Sequence, residues 1–485
     1  MESAGFAMLA AVAVLLLATG LPAWIVLIGV ALGAAGAGIG AGAFSLALLE
    51  GLPSRLVGLF ESDLLQALPL YVLMGAMLNR LPLADTLFRV LRRALAFTGA
   101  GAPLAGFVLG ALLAPMNGSV GACIATLSRT IHPRLRAAGV PEVDAEAEVC
   151  VASTLGVVVP PSLVLILLGD AMLRAHTEAV NVTHEAVRII NTQDVFRGAL
   201  LPAALLFALY VVVAARSGRR EGARRATAAG AALCGREIAT TAVTVTLIVG
   251  LLAAVTLGYL YAVEAAATGA VVLFAYGVAV RAMSGEVLAH VLRDTMAISG
   301  ALFALLVGST VFTLLVRAFG TDRLIAAALG AMGGGTYAAL GVVLGAIALC
   351  ALVLDAFEMI FVVIPVVMPP LLTRVPDATW VSVLTLLILQ ASFMIPPFGY
   401  AVLMMRNSLR STTATAALAL AMLPYLVAQF AVLCAVLVWP GLLWHDTPPD
   451  RESRAPAVSD EDAGAMLRQQ LERNDAAEPA NEHEK

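Results

Sequence analysis

Apolar residues fill most of the chain in runs long enough to cross a bilayer, and short polar stretches separate these runs. A membrane-spanning helix needs about 20 mostly apolar residues. The pattern therefore predicts an all-α polytopic membrane protein. The predicted spans are residues 5–21, 23–45, 63–79, 145–170, 198–215, 237–257, 262–281, 295–316, 379–405 and 414–440.

Two further apolar stretches, 98–133 and 336–372, are too long for one span and lack the hydrophilic loop that two full spans would need. The first carries the polar sequence Asn-Gly-Ser at 117–119 near its centre, and the second carries Asp355. Irregular backbone at membrane depth is tolerated only where protein or water satisfies its polar groups. We therefore predict two re-entrant helical hairpins.

Two of the predicted spans, 145–170 and 379–405, contain adjacent prolines that begin at Pro160 and Pro396. Proline lacks the backbone N–H and clashes with the preceding turn, so both spans are expected to be broken helices. Pro133 lies 27 residues before the first pair (160 − 133), and Pro369 lies 27 residues before the second (396 − 369). Interrupted segments at matching places in two halves indicate the binding site of a transporter.

Arginine collects in the loop 216–236, which we place in the cytoplasm because cytoplasmic loops carry an excess of basic residues. Counting spans outward from this loop puts the first hairpin on the cytoplasmic side, the second on the external side and both termini outside. The halves 1–215 and 237–445 then have opposite topology, as an inverted repeat requires. The arginine positions are independent of the proline spacing, so they support the repeat separately.

Composition agrees with a membrane protein. Of the 485 residues 60% are hydrophobic and 13% charged, whereas a soluble domain has about 25% charged residues. The net charge of −4 comes mainly from the polar tail 446–485, which we expect to be disordered. Basic residues are scattered, which argues against a nucleic-acid surface. Cysteines and histidines have no metal-ligand spacing, so no cofactor is expected.

A broken helix offers carbonyl oxygens without internal hydrogen bonds and, at its new N-terminus, N–H donors with partial positive charge. The carbonyls suit a sodium ion and the donors suit a carboxylate. The alternative is that Ser153 and Thr154 only bond back to carbonyls of their own helix. Asp355 either caps the helix that begins at Ala356 or helps to hold a cation.

The candidate binding residues surround the two breaks and the two hairpin turns. For sodium we expect Asn117, Ser119, Ser153 and Gly156. The full set for ion and substrate is Asn117, Gly118, Ser119, Ser153, Thr154, Gly156, Pro160, Pro161, Asp355, Gln390, Ser392, Pro396 and Pro397.

The sequence Ala-Ser-Thr-Leu-Gly-Val-Val-Val-Pro-Pro-Ser at 152–162 resembles the signature of the large membrane subunit of TRAP (tripartite ATP-independent periplasmic) transporters. The likeness covers about residues 5–445 in the right order. Supporting matches are Asn117-Gly118-Ser119-Val120, Glu264-Ala265-Ala266-Ala267, Leu354-Asp355 with Pro365 and Pro369, and Pro396-Pro397-Phe398-Gly399.

The resemblance implies an elevator-type, sodium-coupled importer of small organic anions, often carboxylates, in the bacterial inner membrane. It also implies two partners, a small four-helix membrane subunit and a periplasmic substrate-binding protein, and no use of ATP. The hairpins and broken helices would form the moving transport domain, and the other spans the scaffold.

The chain departs from the family pattern at several polar positions. Asn117 stands where the family usually has serine, and Cys123 where it has an acid. Ile388, Ser392 and Ile395 stand where asparagine, glycine and threonine are common. The second break therefore offers fewer polar ligands for a second sodium ion than the family pattern does.

Three other functions are compatible with a polytopic membrane protein. A stand-alone sodium/anion symporter of related architecture would need no binding protein. A membrane-embedded enzyme with Asp355 or His132 as acid–base group is disfavoured, because no set of nucleophile, base and orienting residue is visible. A channel is less favoured still, since rings of filter-like residues are missing.

Overall fold

The computed structural model describes residues 4–45, 47–61, 63–117, 119–160, 162–184, 188–222 and 234–443. Throughout these ranges the chain is helical or in short connections, and they contain no β-strand. The fold is thus all-α, as the apolar pattern predicts. The acidic tail 446–485 and most of the basic loop 216–236 lie outside the described residues, so the predictions made for them stay predictions.

Twelve helices make up the first half of the described chain. They are α1 (Ala4–Thr19), α2 (Ala23–Gly40), α3 (Ala47–Glu50), α4 (Leu52–Phe60), α5 (Asp63–Arg80), α6 (Leu83–Ala94), α7 (Gly101–Leu113), α8 (Val120–Thr130), α9 (His132–Ala137), α10 (Glu142–Val158), α11 (Leu163–Thr183) and α12 (Thr192–Gly222).

Ten helices make up the second half of the described chain. They are α13 (Gly235–Thr256), α14 (Ala262–Ala279), α15 (Gly285–Ala318), α16 (Thr321–Ala331), α17 (Gly335–Cys350), α18 (Ala356–Glu358), α19 (Ile364–Leu372), α20 (Ala378–Met394), α21 (Tyr400–Leu409) and α22 (Thr415–Val438). A π-helical segment, Met359–Val363, joins α18 to α19.

Seven helical segments of the described chain are long and apolar enough to cross a membrane, which makes this a multi-pass membrane protein. Helix α1 has only 16 residues, short of the predicted span 5–21. The predicted span 379–405 is divided between α20 and α21. The seven are Ala23–Gly40, Glu142–Thr183, Thr192–Gly218, Gly235–Thr256, Ala262–Ala279, Gly285–Ala318 and Thr415–Val438.

Helices end at both pairs of prolines. Helix α10 stops at Val158 and α11 begins at Leu163, while α20 stops at Met394 and α21 begins at Tyr400. The residue after each first helix is extended, with ψ of 113° in the first break and 109° in the second. The missing proline N–H groups account for both interruptions.

Each of the two long apolar stretches forms two helical arms joined by a turn. In 98–133 the arms are α7 and α8, and a 3-10 turn at Ala114–Asn117 joins them. In 336–372 the first arm is α17 and the second runs from α18 to α19.

Helices α10 and α20 lie at the centre of the packed helices. Every residue of α10 from 145 to 158 is buried, and so is every residue of α20 except Ile388. The two helices contact each other and α22, and α10 also contacts both arms of the first hairpin. Any polar group on these two helices is therefore kept from bulk water.

Candidate functional site

Helix α10 packs against the first hairpin with almost no space between the two backbones. A Cβ on Gly156 would lie 2.6 Å from the carbonyl oxygen of Ala114, at the hairpin turn. One turn earlier, a Cβ on Gly110 would lie 2.6 Å from the Cβ of Ala152. Small residues of this kind allow helices to approach closely inside membranes. Only glycine fits at 156 without moving the turn.

The first break leaves carbonyl groups without helical partners at this contact. In a continuous helix the carbonyls of Gly156 and Val157 would accept from the N–H groups four residues later, but those residues are Pro160 and Pro161 and have none. The last hydrogen bond of α10 runs from the N–H of Val159 to the preceding turn. Oxygen atoms suited to a hard cation thus lie beside the hairpin turn.

Two hydroxyl groups of α10 near this break bond back to their own helix. Ser153 donates to the carbonyl of Cys150 at 2.7 Å, and Thr154 donates to the carbonyl of Val151 at 2.8 Å. This is the arrangement expected if both residues only satisfy helix carbonyls. A hydroxyl that donates its hydrogen keeps two lone pairs, so both oxygens remain able to face a cation.

The two central helices meet at Thr154 and Gln390. Nε2 of Gln390 donates to Oγ1 of Thr154 at 3.3 Å, while Oε1 of Gln390 is buried without a partner among the described residues. These residues are 236 positions apart. The same spacing separates the first prolines of the two pairs and also Ser119 from Asp355. Two positions that the predicted repeat would make equivalent therefore touch.

Ser119 and Asp355 perform the same local task in the two hairpins. Ser119 is the N-cap of α8 and accepts from the N–H of Ala122 at 3.1 Å. Asp355 is the N-cap of α18 and accepts from the N–H of Ala356 at 2.7 Å, while Glu358 accepts from the N–H of Asp355 at 3.2 Å. The capping interpretation of Asp355 thus agrees with the structure. Whether it also binds a cation stays a prediction.

The second break is closed by local hydrogen bonds. The hydroxyl of Ser392 donates to the carbonyl of Ile388 at 2.9 Å, and the N–H of Ile395 donates to the carbonyl of Ser392 at 3.2 Å. The N–H of Gly399 donates to the carbonyl of Ile395 at 2.7 Å. The carbonyls of Ser392 and Ile395 are therefore occupied by local hydrogen bonds, whereas the carbonyl of Phe393, whose helical donor would be Pro397, has no helical partner.

Part of the predicted site lies outside the described residues, namely Gly118, Pro161 and the side chain of Asn117. The structure brings Gly156 to the turn that ends at Asn117, and it brings Thr154 to Gln390. Within the described ranges, no three His, Cys, Asp or Glu side chains cluster as metal ligands would. A cation here would be held by carbonyl and hydroxyl oxygens.

Sequence reasoning missed two acids of α10. Glu146 and Glu148 are 0% and 3% exposed. Both oxygens of Glu146 and Oε1 of Glu148 are buried without a hydrogen-bond partner in the described part of the chain. The signal was present in the sequence, because both acids fall inside the predicted span 145–170, where charged residues are costly and often functional.

Sequence reasoning also missed a cavity of about 920 Å³ between α4, α11, α15 and α19. Two ion pairs line it, Asp170 with Arg174 at 3.0 Å and Glu178 with Arg317 at 2.7 Å. Arg55 also lines it, is exposed, and has no ion pair with any described residue. Three arginines against two acids favour an anion in this cavity.

A comparison with known families identifies the kind of protein that carries this arrangement. The family model for the tripartite ATP-independent periplasmic transporter, DctM component, matches residues 9–442. The chain belongs to this family. It is therefore a component of a transporter and not an enzyme, and TRAP large components work with a small membrane subunit and a periplasmic binding protein.

A solved structure shares the fold. The crystal structure of the Alcanivorax borkumensis YdaH transporter, which reveals an unusual topology, superposes with a TM-score of 0.59 at 18% sequence identity. The match covers 81% of this chain and 88% of that one. At this identity the likeness supports the fold alone. No curated protein sequence matches the chain.

Proposed function

We propose that the protein imports a small organic anion, with a carboxylate as the favoured class, and that a sodium gradient drives the import. A periplasmic binding protein delivers the anion, and a small four-helix membrane subunit accompanies the permease. The observation that carries the proposal is the break of α10, where the carbonyls of Gly156 and Val157 lack helical donors and Gly156 lies against the hairpin turn at Ala114.

Sodium binds at this break in our proposal. The carbonyl of Gly156 and the hydroxyl oxygen of Ser153 come from α10, and Ser119 and Asn117 come from the hairpin turn. Carbonyl and hydroxyl oxygens are the ligands that hard cations prefer. The N-terminus of α11, which begins directly after the break, adds N–H groups for the substrate carboxylate.

The cavity beside α11 is proposed as the route by which the anion arrives. It lies toward the end of α11 that the arginine distribution places outside, and Arg55, which pairs with no acid in the described part of the chain, attracts an anion. The paired arginines Arg174 and Arg317 keep their charge partly neutralised until a ligand competes for them.

Movement of an inverted repeat completes the proposal. The contact between Thr154 and Gln390 is what two copies of one unit would make at the axis that relates them. The repeats, 1–215 and 237–445, would insert their hairpins from opposite sides of the inner membrane, with both chain termini in the periplasm. The hairpins and broken helices would then move together as an elevator past the remaining spans.

Uptake by the reconstituted complex tests the function. Proteoliposomes with the cognate binding protein should accumulate substrate when sodium is high outside, and should not when choline or potassium replaces it. Equal uptake in the three buffers would contradict sodium coupling.

A stand-alone sodium/anion symporter remains the second candidate within transport. Purification from the native membrane separates the two. A small membrane subunit that copurifies with the chain supports the three-part transporter, whereas sodium-dependent uptake without any binding protein would support the symporter.

A further inference from the structure

Helix α10 carries Glu148 at a position where its neighbours are small or apolar. Gly106 of α7 faces this side chain so closely that a Cβ on the glycine would collide with Oε1 of Glu148. Gly110 and Ala152 occupy the next turn of the same contact. The contact between α7 and α10 is thus made of small residues, and Glu148 is an acid placed among them.

The second half of the chain has no acid at the equivalent place. The spacing of 236 residues that relates Thr154 to Gln390 also relates Glu148 to Leu384, which is fully buried. An apolar residue therefore satisfies the packing at this position of the fold. Packing alone therefore does not explain why position 148 carries a carboxyl group.

The titratable and charged groups around the two acids come from α10 and the helices that pack on it. Burial lowers the pKa of His132, while Glu146 and Glu142 act in the opposite direction. The groups are Glu142, Asp144 and Cys150 on α10, Arg129 on α8, His132, Arg134 and Arg136 on α9, Tyr210 and Arg216 on α12, Arg406 on α21 and Tyr425 on α22.

None of the described cations in this group neutralises Glu148. Arg134 pairs with Asp85, Arg136 with Glu142, and Arg406 donates to two threonine oxygens. Tyr425 lies near Glu148, but no hydrogen bond joins them in the described structure. A carboxylate without a partner in a dry interior is strongly disfavoured and takes up a proton instead.

A proton fits this place better than a metal ion does. Sodium needs several oxygen ligands, whereas Oε1 of Glu148 lies near Gly106 and a methyl group of Ile131, with Asp144, one turn earlier on α10, as the neighbouring acid. Glu146 lies two residues away, which puts it on the opposite face of the helix. Binding of a proton needs only the single unpartnered oxygen.

We propose that Glu148 is a proton-binding site, loaded in the conformation described here and emptied when the first hairpin and α10 expose it to water during transport. Proton release during transport rests on the proposed transport function. Proton binding by the purified protein is independent of that function. Transport by this chain therefore depends on pH as well as on the cation gradient.

Infrared difference spectroscopy on the purified complex tests the site without requiring transport. Between about pH 5 and about pH 9 the wild type should show bands of protonated carboxyl groups, and one titrating component should be absent from Glu148→Gln but kept in Glu146→Gln. Glu142→Gln, an exposed acid at the start of the same helix, serves as the control and should keep it. A wild-type spectrum without a titrating band, or a set of titrating bands that is unchanged in Glu148→Gln, would overturn the proposal.

Uptake in proteoliposomes provides the second measurement. Wild-type uptake should change at least about threefold between pH 6 and pH 8, and Glu148→Gln should be nearly independent of pH. Glu148→Leu introduces the residue found at the corresponding position of the second half, Leu384. It serves as a second variant in case Glu148→Gln fails to fold. A pH profile of either active variant that matches the wild type would refute the proposal, whereas absence of uptake in every sample would count against the proposed function only.

Discussion

The two broken helices share a backbone design but differ in chemistry. In both, adjacent prolines end a central helix, and the preceding hairpin turns into its second arm at a capping residue, Ser119 or Asp355. At the first break the close contact is made by Gly156, and the acid Glu148 lies two turns earlier. The corresponding residues at the second break are Ser392 and Leu384. Prolines and capping residues therefore determine the backbone of a break, whereas other side chains determine which ligand it can bind.

This difference assigns unequal roles to the two halves. The helix before the first break carries two buried acids and leaves the carbonyls of Gly156 and Val157 without helical donors, whereas the carbonyls of Ser392 and Ile395 in the second break accept local hydrogen bonds. We expect the first half to determine ion binding. The second half then supplies shape and the contact through Gln390.

The largest effect is expected for Gly156→Leu. The side chain would displace the carbonyl of Ala114 and separate α10 from the hairpin turn, so uptake should fall by about 100-fold or more. Gly250→Leu is the matched control, because nothing lies within 4 Å of a Cβ on Gly250. Uptake and expression are measured together, and normal uptake by the Gly156 variant would remove this glycine from the site.

A smaller effect is expected for Arg55→Gln, which tests whether the anion arrives at the cavity between the halves. Loss of this positive charge should raise KM about tenfold at low salt and less at high salt, with kcat little changed. Arg236→Gln, on the side predicted to be cytoplasmic, should leave KM unchanged. An equal response of the two variants would exclude a specific role for Arg55.

The two hairpin caps are expected to contribute similar stability and unequal function. Ser119→Ala and Asp355→Ala should each lower the free energy of unfolding by about 1 kcal/mol, because each removes an N-cap acceptor. Only Ser119→Ala should also weaken sodium dependence. Thermal unfolding measures the loss of stability, and uptake at varied sodium concentration measures the sodium dependence. A larger effect of Asp355→Ala than of Ser119→Ala on sodium dependence would place the sodium site at the second hairpin.

The smallest effect concerns the contact between the central helices. A double-mutant cycle of Thr154→Val and Gln390→Leu should give a coupling of about 0.5–1.5 kcal/mol in thermal unfolding, since one buried hydrogen bond joins the side chains. Strictly additive effects would show that the bond contributes nothing.

Much of the fold was predictable because it follows from local chemistry. The two breaks follow from the missing N–H groups of prolines, and the two-armed stretches follow from apolar length with a polar centre. The cap at Asp355 was also foreseen, since an acid before a helix accepts its first N–H groups.

The remaining features depend on contacts between distant segments. Nothing near Glu148 in sequence indicates that Gly106 will cover it, and nothing near Arg55 indicates a cavity that α11 and α15 complete. The bond between Thr154 and Gln390 likewise requires two helices to meet. Such pairings are decided by packing, which an apolar pattern does not specify.

The central claim, a sodium site at the first break, is tested most directly by ligand stabilisation of the purified protein. An ion that binds only the folded state stabilises it by RT ln(1 + c/Kd), where c is the free ion concentration, so the stability rises with ion concentration. The account predicts that sodium raises Tm of the wild type above its value in potassium or choline, and that Ser153→Ala removes the difference. Equal Tm in the three salts, or a full sodium shift in Ser153→Ala, would contradict it.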